Sequence, residues 1–302
     1  MRPLTRTLAG ALALSTVLIV GEPAMAASRP AVTAARAEAS QISRSKALVT
    51  DFTQRLYNRH DLSAIDAYLD ADFTQHDPRI ADGPTGLRDY LTAQNAAHPD
   101  SYLSVKRVIA EGDLVAVHSN LVLDPRTRGY SVLDLYRLSG GKIVEHWDTI
   151  QEVPATTVSG NDMFSTLSSP QVSRPDPSAP TALNKQLVTD MYKQVFVDKD
   201  VTAFDRYVVA PYYQHNPGFA NGIQAAKDGI SGMFSAFPDF HSDTYRVIAE
   251  GDLVVLQSRG TFTSDMAQGV FDIYRVQNGK VVEHWDIVQN VPSTSSNNNS
   301  MF

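Results

Sequence analysis

The strongest constraint on this chain is an internal duplication. The 22 residues from Leu133 to Pro154 return from Phe271 to Pro292, and thirteen of the aligned positions are identical. The two stretches start 138 residues apart. That spacing exceeds the roughly 20 to 50 residues of a solenoid repeat, so the stretches mark two copies of a whole domain. The flanking sequence is also repeated. LVTDFTQRLY and KRVIAEGDLVA of the first copy correspond to LVTDMYKQVF and YRVIAEGDLVV of the second.

The first 26 residues have the pattern of an export signal. Arg2 and Arg6 precede an apolar run at 8–20, and a small-x-small cleavage site stands at 24–26. The alternative is a membrane anchor, but the run is shorter than the roughly 18 to 20 residues that span a bilayer. We therefore expect signal cleavage, a secreted or periplasmic location outside the cytoplasm, and no stable membrane anchor.

The remainder divides into two domains. Residues 27–42 are rich in Ala and Ser and are predicted to be a flexible lead-in. The first domain is predicted at 43–164 and the second at 181–302. Between them, residues 165–180 have the Pro and Ser content of an exposed, flexible linker.

Each copy has helical periodicity first and strand-like sequence afterwards. In the first copy Leu48, Phe52 and Leu56 recur every four residues, which places them on one face of a helix. About four long strands follow, after the short extended piece at 72–78. This order predicts an α+β fold, with helices packed on one face of a curved antiparallel sheet.

Composition narrows the partners and the site chemistry. The net charge is −7 and Lys and Arg are scattered singly, so no basic stripe is present and nucleic acid is not expected as a partner. The absence of Cys excludes disulfides and thiolate metal sites. His146 and Asp148 lie two apart on one strand, but no third metal ligand with suitable spacing is evident. We predict no metal and a structural role for this pair on the outer face of the sheet.

The hairpin inside the repeat predicts which side chains share a face. Its turn is Gly140-Gly141 in the first copy and Asn278-Gly279 in the second, both typical of two-residue loops. Such a loop sets Asp134 opposite Trp147, and Asp272 opposite Trp285. Because side chains alternate along a strand, the histidines of the EHWD motif are then predicted to lie on the opposite face.

An Asp within an apolar strand is unusual, because burying an unpaired carboxylate costs several kcal/mol. Asp134 and Asp272 are therefore expected to have raised pKa values and to be candidates for a general acid or base. The alternative is a salt bridge to a neighbouring cation, or a position at a solvated edge.

At these residues the sequence resembles a known family. The motifs are QHDP (75–78), LDLYR (133–137) and GKIVEHWD (141–148), with QHNP, FDIYR and GKVVEHWD in the second copy. They resemble the SnoaL-like branch of the NTF2-like superfamily, which includes polyketide cyclases and ketosteroid isomerase, and most of all its SnoaL-like aldol-condensation group. The resemblance implies two tandem cone-shaped α+β barrels, each enclosing an apolar cavity. It also implies an acid/base role for the Asp of the LDLYR strand, which is Asp134 or Asp272 here.

Further candidates follow from the repeat and the resemblance. His76 and His215 are expected at the cavity mouth, as a second acid/base partner or as residues that fix the turn before Pro. Four aromatic residues are expected to line the cavity, or else to be ordinary core: Tyr136, Tyr274, Trp147 and Trp285. His118 is a candidate ligand contact in the first copy only, since Gln257 takes its place in the second.

Three functions remain open from the sequence. The first is an exported cyclase, aldolase or isomerase that acts on a small hydrophobic carbonyl compound without metal or organic cofactor. The second is a non-catalytic protein that binds a small hydrophobic molecule. The third is a structural role, with each cavity filled by its own side chains. In all three the two domains are expected to pair through the outer faces of their sheets, as an intramolecular pseudo-dimer.

Overall fold

The computed structural model describes residues 29–302, so the predicted export signal lies outside the described residues. Residues 38–302 form one compact unit. The first helix begins at Arg29, well before the predicted start at Ser43, so most of the predicted flexible lead-in is helical. None of the helices described has an apolar stretch long enough to cross a membrane.

The first domain has three helices and five strands. In chain order they are α1 (Arg29–Asn58), α2 (Ser63–Tyr68), β1 (Leu69–Gln75), α3 (Gly83–Ala97), β2 (Tyr102–Glu111), β3 (Leu114–Val122), β4 (Tyr130–Ser139) and β5 (Lys142–Glu152). The strand order in the sheet is β1-β5-β4-β3-β2. β1 runs parallel to β5, and the remaining neighbours are antiparallel.

The second domain repeats this plan. Its elements are α4 (Thr181–Tyr192), a π-helical turn (Lys193–Val197), a 3-10 turn (Val201–Ala203), α5 (Phe204–Tyr207), β6 (Val208–Gln214), α6 (Ile223–Ala236), β7 (His241–Glu250), β8 (Leu253–Thr263), β9 (Met266–Gln277) and β10 (Lys280–Asn290). The strand order is β6-β10-β9-β8-β7, and β6 is parallel to β10.

The predicted α+β class is confirmed, with one addition to each sheet. The short extended piece before Pro78 joins the sheet as the parallel strand β1, so both sheets are mixed. The helices cover the inner face of each sheet. Val49, Phe52 and Leu56 of α1 lie in one core with Val117 and Tyr136 of the first sheet. The equivalent core of the second domain contains Val188, Met191 and Val195 together with Tyr274.

A β-bulge makes the predicted register of the hairpin wrong. The two-residue loop is present, since Ser139 pairs with Lys142 and Leu138 with Ile143. The next pair is Arg137 with Glu145, so Val144 is an extra residue on β5. A one-residue shift moves the rest of a strand to the opposite face. The second copy has the same shift, with Val282 as the extra residue.

The outer faces of the two sheets pack against each other. Their shared apolar core contains residues of both domains: Ile109, Ala116, Leu133, Leu135, Trp147, Ile248, Leu253, Val255, Phe271, Ile273, Trp285 and Ile287. An arginine of each domain lies over a tryptophan of the other. The guanidinium carbon of Arg246 is 3.7 Å from the ring centre of Trp147, and that of Arg107 is 4.0 Å from Trp285. Aromatic faces attract cations in this arrangement, so these pairs join the domains.

The segment between the domains, residues 165–180, is exposed at half of its positions, as its composition predicted, but it is bound to the second domain. Ser168 is buried, and its hydroxyl donates a hydrogen bond of 2.6 Å to Oε2 of Glu283. Further along, the main-chain N–H of Asp176 donates to Oδ1 of Asp252 at 2.7 Å, and Arg275 donates to the oxygen of Val172 at 2.6 Å. Residues 165–180 therefore lie along the second domain, held by its buried polar groups.

Candidate functional site

The bulge brings the His and the Asp of each EHWD motif into the cavity of its domain. Asp134 pairs with Asp148, and Asp272 pairs with Asp286, rather than with the tryptophans. The prediction that His146 and Asp148 lie on the outer face is therefore wrong, because each lines the first cavity. Tyr136 and Tyr274 do line the cavities as predicted.

In the second domain His284 links two strands. Its Nε2 is 2.9 Å from Oδ1 of Asp272, and its Nδ1 is 2.8 Å from Oε1 of Gln214. Its ring stacks on Tyr274 at a centroid distance of 4.5 Å. The imidazole is therefore held on three sides, and its edge faces the buried carboxylate of Asp272.

The hydrogen bonds determine where one proton sits. Oε1 of Gln214 accepts from the main-chain N–H of Asn216 at 2.9 Å, which identifies that atom as the amide oxygen. An oxygen without hydrogen only accepts, so Nδ1 of His284 carries its proton. The contact between Nε2 and Asp272 then contains one further proton, held by either partner. Such a pair can accept or deliver a proton while both side chains stay in place.

Asp286 is the second carboxyl group of this cluster. Oδ2 accepts from Nδ2 of Asn216 at 2.6 Å, while Oδ1 has no hydrogen-bond partner within residues 29–302. Burial raises the pKa of Asp286 to about 6. Of the neighbouring groups, His284 lowers this pKa and Asp272 raises it. A carboxyl group with this pKa can be a hydrogen-bond donor in mildly acidic solution.

The first domain has the same dyad with an arginine beside it. His146 Nε2 is 3.0 Å from Oδ1 of Asp134, and Arg79 binds Asp77 at 2.5 Å and Asp148 at 3.0 Å. Burial is the largest single influence on His146 and opposes its charge, but the hydrogen bond to Asp134 and the negative charges of Asp134, Asp148 and Asp77 together outweigh it, so the pKa of His146 is raised. In the second domain Asn216 and Gly218 stand at the positions of Asp77 and Arg79, so this ion pair is absent there.

The two cavities differ greatly in volume. The cavity of the second domain measures about 410 Å³, and it reaches Asp272, His284 and Asp286. The cavity of the first domain measures about 30 Å³, which is room for about one water molecule. Small-molecule sites usually have about 300 to 1,000 Å³. The second domain can therefore hold a ligand, while the first is filled by its own side chains.

Substitutions between the copies explain the difference. Leu87, Leu103 and Leu121 line the first cavity. Ala226, Ser242 and Gly260 stand at the aligned positions of the second. Tyr90 also lines the first cavity, and its counterpart Gly229 carries no side chain. The smaller residues Ala226, Ser242 and Gly260 leave space between α6 and the sheet, whereas the place of a side chain at Gly229 is taken by the ring of Phe219.

The predicted histidine and tryptophan candidates lie between the sheets rather than in the cavities. Nε2 of His215 is 2.9 Å from Oε1 of Glu283, and its ring stacks on Trp285. His76 makes the same contacts with Glu145 and Trp147. None of His76, His215, Trp147 and Trp285 is among the lining residues of either cavity. Their placement favours the turn-fixing and core alternatives.

His118 has a role that its partner explains. Arg107 donates to Nδ1 of His118 at 2.7 Å, and Nε2 of His118 lies 2.9 Å from the hydroxyl of Ser131. Burial and the nearby guanidinium lower the pKa of His118 well below its usual value. In the second domain Arg246 donates to Gln257 at 2.7 Å. His118 and Gln257 thus hold equivalent arginines, and neither is among the lining residues of its domain's cavity.

The second cavity also contains a set of atoms with metal-ligand spacing. One ligand atom from each of Asp272, His284 and Asp286 lies within 4.8 Å of the others. Asp272 is the third ligand that the sequence did not reveal, because it lies on the neighbouring strand. A divalent cation here would have to replace the 2.9 Å contact between His284 and Asp272. The arrangement therefore fits a proton-sharing pair without rearrangement.

Sequence reasoning missed four residues of this cluster: Gln214, Asn216, His284 and Asp286. The QHNP motif contains Gln214 and Asn216, but its histidine, His215, is the residue type that most often acts as an acid or base. Side chains alternate along β6, so Gln214 and His215 point to opposite faces. Only the parallel pairing of β6 with β10, which sets Gln214 beside His284, shows which one faces the cavity.

The fold and the cavity define a class of α+β protein in which helices and a mixed sheet surround an apolar cavity. Residues 49–146 match the SnoaL-like domain family, and residues 186–295 match the SnoaL-like polyketide cyclase family. No curated protein sequence matched the chain. The chain therefore belongs to the SnoaL-like proteins and carries two such domains in tandem.

Solved structures similar to this chain align with one domain at a time. A protein named as a SnoaL-like polyketide cyclase from Jannaschia sp. CCS1 is 19% identical, covers 38% of this chain and 90% of its own, and has a TM-score of 0.34. One named as a ketosteroid isomerase from Kribbella flavida is 13% identical over 38% of this chain and 84% of its own, with a TM-score of 0.33. An NTF2-like protein of unknown function from Mesorhizobium loti is 18% identical over 38% and 97%, with a TM-score of 0.34.

Proposed function

We propose that the second domain binds a small hydrophobic carbonyl compound and moves a proton at the carbon next to its carbonyl group. The observation that carries this proposal is the cavity of about 410 Å³ that ends at Asp272, His284 and Asp286. Its other walls are mainly apolar and aromatic. The first domain, whose cavity measures about 30 Å³, then has no ligand of this size.

The proposed chemistry belongs to a cyclase, aldolase or isomerase. The pair of Asp272 and His284 would accept the proton from carbon and return it to another atom of the same ligand. Burial strengthens the interaction of a carboxylate with the developing charges, because the surroundings have a low dielectric constant. Asp286 would donate a hydrogen bond while it is protonated. The mechanism uses no metal and no organic cofactor.

The location and the pairing belong to the same proposal. The sequence of residues 1–26 supports export, so the reaction would take place outside the cytoplasm. The packed outer faces of the sheets support an intramolecular pseudo-dimer in solution. Small-angle scattering is expected to give one compact particle, and a profile of two separately tumbling domains would contradict the pairing.

The direct test begins with mass spectrometry of small molecules retained by the purified protein. Polyketide-like and steroid-like ketones are then incubated with it in deuterated water, and exchange at the carbon next to the carbonyl is followed by NMR. Asp272→Asn is expected to lower the exchange rate about 10²- to 10⁴-fold. The matched variant Asp134→Asn is expected to leave the rate within about twofold, because its cavity is filled. An unchanged rate in Asp272→Asn would exclude the mechanism.

A non-catalytic ligand-binding protein is the second candidate, and the apolar walls of the second cavity favour it equally. This alternative predicts saturable binding of a ketone without exchange or product. It also predicts that Asp272→Asn retains most of the affinity. Measuring binding and exchange on the same preparation separates the two functions.

A further inference from the structure

The second cavity contains a group of three hydroxyls in addition to the Asp272 and His284 pair. Oη of Tyr192 donates to Oγ of Ser258 at 2.7 Å and lies 3.1 Å from Oγ of Ser242. All three residues line the cavity, and all three are buried. They come from α4, β7 and β8, so three separate elements bring these hydroxyls together. We call them the hydroxyl cluster.

The hydroxyl cluster exists only in the domain with the open cavity. The residues aligned with Tyr192, Ser242 and Ser258 are Thr53, Leu103 and Ser119. Thr53 donates to the main-chain oxygen of Thr50 in its own helix, and Leu103 has no polar group. The filled cavity and the missing cluster therefore occur together in the first domain.

Counting protons shows that the hydroxyl cluster has a spare donor. Three hydroxyls carry three protons, and each proton can be donated once. Among the described residues these hydroxyls make two hydrogen bonds, both within the cluster. One O–H group is therefore left over, next to the cavity. Burial raises the pKa of Tyr192, so its phenol remains protonated and the count holds across the physiological range.

We propose that the hydroxyl cluster is a subsite that donates a hydrogen bond to an acceptor oxygen of the ligand. The inference rests on the proposed function insofar as both place a ligand in this cavity, but the subsite does not require a reaction. It defines the ligand as a hydrophobic carbonyl compound whose ketone or enolate oxygen lies at Tyr192, Ser242 and Ser258, while the carbon next to that carbonyl faces Asp272.

The test compares two probes of matched shape, 2-acetylnaphthalene and 2-isopropenylnaphthalene, in which a CH2 group replaces the carbonyl oxygen. Only the first has an acceptor oxygen. Dissociation constants are measured by calorimetry for the full protein and for the triple variant Tyr192→Phe, Ser242→Ala, Ser258→Ala. The ratio of the ketone constant to the hydrocarbon constant is expected to rise about 3- to 10-fold in the variant, the effect of one lost hydrogen bond. An unchanged ratio would overturn the subsite.

Two control variants distinguish loss of the subsite from changes in the first domain and from loss of catalysis. The double variant Thr53→Ala, Ser119→Ala removes the aligned hydroxyls of the first domain and is expected to leave the ratio unchanged. Asp272→Asn is also expected to keep the ratio, even where it abolishes exchange, so loss of catalysis does not count against the subsite. If neither probe binds the unmodified protein, the proposed ligand cavity fails and the subsite fails with it.

A second measurement needs no variant. The ketone is labelled with ¹³C at its carbonyl carbon, and its NMR shift is recorded when bound and when dissolved in an apolar solvent. A hydrogen bond to the carbonyl moves this resonance downfield, so a downfield shift on binding is expected. A bound ketone whose resonance matches the apolar solvent would overturn the proposal, whatever the variant does.

Discussion

The side-chain amide of Asn161, in the tail of the first domain, donates a hydrogen bond of 3.0 Å to the main-chain oxygen of Gln214 in the second. The same amide donates to Oδ1 of Asn221 at 2.8 Å, and His215 contacts the oxygen of Asp162. Gln214 is the residue that orients His284. The segment after β5 of the first domain thus fixes the end of β6 and the loop after it in the second domain.

The first prediction follows from this contact and has a matched control. Asn161→Ala is expected to lower ligand affinity or turnover about 3- to 10-fold, because Gln214 and Asn221 each lose a hydrogen bond. Asn299 makes the equivalent contact with the oxygen of Gln75, at 2.9 Å. Asn299→Ala should cost similar stability, about 1 kcal/mol, without any loss of affinity. Equal effects of the two variants on ligand binding would show that the tail has only a structural role.

The second prediction concerns the volume of the cavities. Ala226→Leu introduces the residue that the first domain has at the same place, and it adds side-chain volume to an open space. We expect ligand affinity to fall at least about tenfold while the free energy of unfolding changes by less than about 1 kcal/mol. Leu87→Ala makes the reverse change in the filled cavity and should cost about 2 to 5 kcal/mol. Urea unfolding and calorimetry measure both quantities, and strong ligand binding by Ala226→Leu would place the ligand elsewhere.

The third prediction concerns pH and Asp286. Its pKa is about 6 in the folded protein, against 3.8 for an ordinary Asp, so the folded state holds its proton more tightly. This carboxyl group therefore lowers stability progressively as pH rises from about 4 through about 6. At about 1.4 kcal/mol per pKa unit, its contribution is about 3 kcal/mol of stability lost by pH 8.

Asp286→Asn removes this titration and tests it. The variant is expected to be more stable than the unmodified protein at pH 8 and equally stable near pH 4, as measured by urea unfolding at each pH. Its neutral amide can still accept the hydrogen bond from Asn216. A stability difference that does not depend on pH would mean that Asp286 titrates in the ordinary range.

The duplication made the fold predictable from the sequence, whereas the site was only half predictable. Aligning the two copies gave the repeated α+β order and the turn at Gly140-Gly141. It also led to Asp134 and Asp272, which do lie in the cavities. The extra residue Val144 on β5 is not visible in the pattern, because a bulge keeps the apolar composition of the strand and changes only its register. That single residue exchanged the faces of Trp147 and His146.

The difference between the two cavities could not be predicted for another reason. The substitutions of Leu87, Leu103 and Leu121 by smaller residues are scattered over α3, β2 and β3, where a small residue is ordinary in any one position. Their common effect requires knowing that all three side chains meet in one space. The folded arrangement supplies that knowledge, and it identifies the second domain as the one with room for a ligand.

The last prediction concerns the contact between the domains through Arg107. This arginine is buried, lies over Trp285 of the other domain, and donates at 2.7 Å both to His118 and to the main-chain oxygen of Phe164. Arg107→Ala leaves the buried Nδ1 of His118 and the half-buried oxygen of Phe164 without this donor, and it removes the cation from the indole. We expect a loss of about 2 to 4 kcal/mol in the free energy of unfolding.

A control for this variant is Arg126→Ala, at an exposed arginine that pairs only with Asp124 among the described residues. Exposed ion pairs contribute little, so the control should change stability by less than about 1 kcal/mol. Because Arg107 joins the two sheets, its loss should also weaken their cooperation, and urea unfolding should separate into two transitions. A single transition with unchanged midpoint in Arg107→Ala would mean that the apolar residues around Trp147 and Trp285 hold the domains together without the arginine.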